Sequence, residues 1–197
     1  MMRYAALLLA PILLLGQSAN QAKVKPYEDG EAYSVYSAVL AMESSKGDLL
    51  IGDTTVPFSH CLEPHSDPVV DAAIEDYRKA NKSKWRLGYH LGLERSYTLV
   101  SQDEASDLLQ SPPGPSARHF SAFGGVHHFS AVGFNPDKTV AFVEMDVVCG
   151  GLCGHGGPFI LQKQKGKWLQ YLPHQSGIQN PDGTRTQSGP TICSWFY

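Results

Sequence analysis

"VAFVEMDVVCGGLCGHGGPFILQKQ" runs from Val140 to Gln164. Its first nine residues put Ala141, Val143, Met145 and Val147 on one side of an extended chain, and Phe142, Glu144, Asp146 and Val148 on the other. Successive side chains of a strand point to opposite faces, so this alternation predicts a strand buried on one face and partly on the other. Downstream, "PFILQKQ", the turn "KGK" and "WLQYL" predict a hairpin. Upstream, "HHFSAVGF" leads into the turn sequence "NPDKT" and reads as a further strand. Consecutive strands with short connections imply an antiparallel meander.

The N-terminal half has a different period. "EAYSVYSAVLAM" (Glu31 to Met42) spaces Tyr33, Tyr36, Val39 and Leu40 as one face of a helix. "DPVVDAAIEDYRKAN" is the clearest helix, with Val70, Ile74 and Tyr77 on one face. Asp67 can accept from the free amides of its first turn, and Pro68 fits the first helical position, where its missing N–H costs nothing. "DLLIGDTTVPF" is a strand ended by Pro57, "WRLGYHLGL" and "RSYTLVS" are further extended segments, and "QDEASDLLQ" is a short helix. "SPPGPS" (Ser111 to Ser116) excludes regular structure, because its prolines remove donors and fix backbone angles. "TICSWFY" is a short apolar tail that must dock on the fold. The class is therefore α+β: N-terminal helices packed on an antiparallel β-sheet meander, stapled by disulfides.

The chain opens "MMRYAALLLAPILLLGQSANQA". A short basic start, an apolar run from Ala5 to Leu15 and small residues after it read as a secretory signal peptide over 1–22, cleaved after Ala22 or Ala19. The remaining stretch, 23–197, is long enough for one domain with a substantial core. No later stretch is apolar enough to cross a membrane as a helix. The formal net charge of −3 and the lack of a basic stripe argue against nucleic acid as a partner.

Four cysteines in an exported chain favour two disulfides. Three connectivities are possible, and Cys149–Cys153 with Cys61–Cys193 is preferred. The first would close a tight turn in which Gly150 and Gly151 permit positive backbone angles. A thiol pair spaced C-x3-C inside a β meander does not match a helix-borne C-x-x-C redox pair. Cys149, Cys153 and His155 could supply three metal ligands, with a fourth from His127, His128, Cys61 or His65, yet exported thiols tend to oxidise rather than bind zinc. "HGGPF" (His155 to Phe159) is similar to an oxyanion loop, but no G-x-S-x-G elbow accompanies it. Walker A and G-x-G-x-x-G motifs are absent too. Glu144 and Asp146 share a strand face and could form an acid/base pair, although solvated carboxylates on an exposed face are the simpler expectation. The tryptophans and the closing aromatics are expected to pack in the core or at its edge.

The blocks "YSAVL", "AIEDYRKANKSKW", "SAVGFNPDKTVAFVEM", "CGGLCG", "KGKW" and "CSW" occur in this order over most of the chain. Together they resemble a family of uncharacterised secreted bacterial proteins. The resemblance implies bacterial origin and export, and it carries no activity, cofactor or ligand. Members of that family often have glycine at the position of His155, which argues against an essential chemical role there.

Two functional expectations follow. The leading one is an exported, non-enzymatic binding or structural module without a cofactor, whose ligand or protein partner the sequence does not name. The alternative is a small hydrolase or metal-dependent enzyme with His127, His128, His155, Asp146 and Glu144 gathered near the glycine-rich loop. A histidine within hydrogen-bond reach of one of those carboxylates, in a cleft, would favour the enzyme.

Overall fold

The computed structural model describes residues 24–43, 47–58, 67–110, 124–150 and 153–171, together with the backbone of three short strands near the C-terminus. In chain order the elements are β1 (Lys25–Pro26), α1 (Gly30–Met42), β2 (Leu49–Gly52), α2 (Pro68–Ala80), β3 (Trp85–Arg86), β4 (Tyr97–Val100) and α3 (Gln102–Gln110). Then come β5 (Val126–Phe129), β6 (Gly133–Phe134), β7 (Val140–Gly150), β8 (Cys153–Gln164), β9 (Lys167–Gln170), β10 (Ile178–Gln179), β11 (Arg185–Thr186) and β12 (Trp195–Phe196). The expected signal segment, Cys61 with "HCLEPH", the "SPPGPS" loop and Cys193 lie outside the described residues.

The main sheet has eight strands. Six follow the order β12-β8-β7-β5-β2-β4, with β6 paired to β7 and β9 to β8. The C-terminal half is antiparallel, as the short connections between its strands predict, with β7 and β8 paired from Val140↔Gln162 to Gly150↔Cys153. The β4–β2–β5 side is parallel, a feature that strand spacing alone does not reveal. Parallel neighbours need crossover connections, and the helical segments between β2 and β5 supply them. The closing tail docks by pairing Trp195 and Phe196 with Gly156 and His155 of β8.

The period-two alternation of β7 sorts the core into two layers. Ala141, Val143, Met145 and Val147 face α1 and pack with Tyr36, Val39, Leu40, Ile51 and Phe129. Val140 and Phe142 face α2 and pack with Val70, Ala73, Ile74 and Tyr77. On the same side, Ala105 of α3 packs on Leu50, Val100 and Val126. Six side chains of α1 are buried, and each large apolar one contributes about 1.5–3 kcal/mol by leaving water. Tyrosine hydroxyls on this face are satisfied by backbone groups: Tyr36 donates to the Ser130 carbonyl at 2.8 Å, and the Val132 amide donates to Tyr27 at 3.0 Å.

Helix α2 starts as its sequence predicts. The Asp67 carboxylate accepts from the Val69 amide at 2.9 Å, and Pro68 occupies the first turn. The C-terminal end of α2 is tied to the segment after β5. Asn81 donates to the Ala131 carbonyl at 3.0 Å and accepts from the Ala131 amide at 2.9 Å, while Asp76 accepts from the Phe134 amide at 2.9 Å. The side chain of Asn81 is thus engaged within the fold. For α3, Ser101 and Glu104 form a reciprocal capping box, with bonds of 2.7 and 3.2 Å.

Cys149 and Cys153 form a disulfide with Cα atoms 5.1 Å apart, and Gly150 between them has φ +130, a region open to glycine at little cost. The bridge closes a very short loop at the β7–β8 end. Replacing both cysteines with serine is expected to cost only about 2 kcal/mol in the chain-entropy view. Denaturant melts of the double variant would check this, and a loss of global folding would show that the bridge holds more than its own turn.

Candidate functional site

The site-bearing residues lie at the centre of the sheet, where β5 pairs with β7. His127 stands opposite Val147, and His128 opposite Asp146. Between β5 and β6 the register against β7 slips by one residue. The extra residue makes a bulge, a distortion that re-aims side chains. Ser130 sits at it: its amide donates to the Glu144 carbonyl at 3.0 Å, and its hydroxyl accepts from the Glu144 amide at 2.8 Å.

Pairing and alternation divide the five candidate residues between the two faces. Glu144, Asp146 and His128 face α2, whereas His127 and His155 lie on the α1 face, flanking Val147. The sequence places these five near one loop, but the sheet interposes its own thickness between them. The single constellation of the enzyme reading is not formed.

On the α2 face, Glu144 is fully buried, at 0% exposure. The expectation of solvated carboxylates is therefore wrong for Glu144: helix α2 covers the face that the polar residues of β7 seemed to mark as exposed. Tyr77 of α2 donates its hydroxyl to Glu144 Oε2 and also lies 3.2 Å from the Phe58 carbonyl. Glu144 Oε1 and Asp146 Oδ1 are buried without a hydrogen-bond partner among the described residues. Burial pushes the Glu144 carboxyl up to about 7, against the lowering effect of Tyr77. Burial also raises Asp146 to about 6, partly offset by a hydrogen bond from the His128 backbone. The Tyr77 phenol is itself raised, first by burial and then by the adjoining Glu144 carboxylate. Burial lowers His128, which favours its neutral form. Its ring lies beside Gly52, where an added Cβ would come within 2.7 Å of Nδ1. No hydrogen bond joins that ring to either carboxylate among the described residues.

On the α1 face, His127 is also buried, at 1% exposure. Its Nδ1 lies 3.2 Å from the Leu50 carbonyl. A carbonyl only accepts, so Nδ1 carries the proton and Nε2 is left as a buried acceptor without a partner. Burial drives this imidazole down to about 4, so it is uncharged at neutral pH. His155 is half-exposed, and its Nε2 lies 3.9 Å from Glu43 just past α1.

The metal alternative built on Cys149, Cys153 and His155 loses both thiolates to the disulfide. Among the described residues, no three His, Cys, Asp or Glu side chains converge as metal ligands. Trp168 packs on Phe134 and donates to Glu31 at 2.6 Å, and Trp85 packs on Tyr27, as expected of core-edge aromatics. Tyr77 and Ser130 are the two members of the α2-face cluster that sequence reasoning missed. Tyr77 reads there only as an apolar helix position, and Ser130 carries no signal until the bulge is known.

No family model matches this chain, and neither a curated protein nor a solved structure matches it. Among the described residues, no helix is long and apolar enough to cross a membrane.

Proposed function

We propose that this chain is an exported, disulfide-bonded binding or structural module and not an enzyme. The observation that carries the reading is the division of the candidate residues: two histidines on the α1 face, and the carboxylates with His128 on the α2 face. General acid–base catalysis needs a side chain held within hydrogen-bond reach of a substrate proton. Here Glu144 is instead bonded to the helix that covers it. Export is supported by the apolar, small-residue N-terminus and by the Cys149–Cys153 bridge, since disulfides persist in oxidising compartments.

Two measurements test this. Expressed with its leader in a bacterium, the chain should appear in the periplasm or medium with residues up to Ala19 or Ala22 removed; a full-length cytoplasmic product would overturn export. The purified protein should show no turnover of ester, phosphoester, glycoside or peptide probes, with or without added divalent metal. Turnover that disappears in His128→Gln would overturn the non-enzymatic reading.

A further inference from the structure

Among the described residues, no cation lies against the enclosed Glu144. The described groups around it are Tyr77 from α2, Ser130 and His128 from the β5 segment, Asp146 two residues along β7, and the Phe58 carbonyl. Its cross-strand partner on β8 is Pro158, and that of Asp146 is Gly156, so β8 brings no charge at these positions. Asp76, the neighbouring acid of α2, is engaged with the Phe134 amide. Among the described residues, Tyr77 is the only side-chain donor to the Glu144 carboxyl, and one oxygen of each acid has no partner. An ionised carboxylate enclosed this way is poorly compensated, whereas a protonated one is neutral.

We propose that Glu144 and Asp146 form a proton-operated latch for α2: protonated, they let the helix seat on the sheet, and on losing their protons they loosen it. The seat is otherwise close. Gly133 brings the backbone of the β6 strand against the backbone of α2 at Ala73 and Tyr77, so a small outward shift of the helix breaks the Tyr77, Asp76 and Asn81 contacts together. Among the described residues no enclosed acid lies beneath helix α1, on the opposite face, so its local opening does not respond. The latch does not depend on what the protein binds.

The test is native-state hydrogen exchange of α2 and α1 amides between pH 6 and 8, expressed as protection factors to remove the intrinsic pH dependence. In wild type, α2 protection should fall roughly tenfold over this range relative to α1, the factor expected for a carboxyl of pKa about 7 when seated and 4.5 when released. Glu144→Gln should reduce the fall to about twofold, the part left to Asp146. Tyr77→Phe, which removes the donor to the carboxylate, should move the transition to higher pH. Equal pH dependence in α1 and α2, or a transition unmoved in Tyr77→Phe, would overturn the latch. So would a tenfold fall that persists undiminished in Glu144→Gln.

Discussion

Replacing Gly133 with alanine is expected to cost about 3 kcal/mol or more, at the severe end of overpacking substitutions. Gly133 pairs with Phe142 on the α2 face. A Cβ there would overlap the Tyr77 amide and the Ala73 carbonyl, both backbone atoms of α2. No side chain can rotate aside, so the helix must move, and the hydrogen bonds at Asp76, Tyr77 and Asn81 move with it. Gly52→Ala is the control. Its Cβ meets the His128 ring, which can swing, so the loss should be smaller. Urea unfolding should show a lower midpoint for Gly133→Ala; a variant within about 0.5 kcal/mol of wild type, the usual scatter of harmless substitutions, would contradict the close seat of α2.

The second large effect is on pH dependence. Glu144 has a pKa raised from 4.5 to about 7. Between those values the native chain holds a proton that the unfolded chain has released, so stability falls as pH rises, and the loss is complete above about 7. Asp146, raised from 3.8 to about 6, acts in the same sense at lower pH. His127, lowered from 6.5 to about 4, acts in the opposite sense. Its contribution is intact above 6.5 and is lost as pH falls toward 4, because the unfolded chain binds a proton that the native one refuses. Each of Glu144 and His127 is worth on the order of 3 kcal/mol over its whole window. From pH 5 to 8 His127 offsets most of the Glu144 loss, and Asp146 leaves the wild-type profile falling by roughly 2 kcal/mol. Glu144→Gln should instead gain slightly across this range, by under about 1 kcal/mol, because the His127 slope then outweighs that of Asp146. His127→Asn, whose amide can still donate to the Leu50 carbonyl, should lose about 2 kcal/mol more than wild type across the same range. Parallel profiles for all three proteins in urea melts at pH 5, 6.5 and 8 would sink this assignment.

Much of the fold is legible in the sequence because its signals are local. Period two in Val140–Val148, helical spacing in Tyr33–Leu40 and the Asp67–Pro68 start each depend on neighbours within a few residues. The parallel pairing of β2 with β4 and β5 is not local, since it depends on helical crossovers whose direction no periodicity records. The same limit governs the site. Glu144 and Asp146 are recognisable as same-face acids, but whether that face meets water or a helix depends on where α2, more than sixty residues earlier, comes to rest. His127 and His128 are adjacent in sequence, and because they are adjacent on a strand they fall on opposite faces. Reading the register of β5 against β7 would have separated them; proximity along the chain did not.

The central claim is that Glu144 is an enclosed acid serving α2 and not a solvated carboxylate. It is tested most directly by following the Glu144 side-chain carboxyl carbon of labelled protein by NMR through a pH titration. A midpoint near 7 is the predicted result. A midpoint near the ordinary glutamate value of 4.5 would mean that water reaches the group, and would contradict the burial on which the site, the latch and the pH profile all depend.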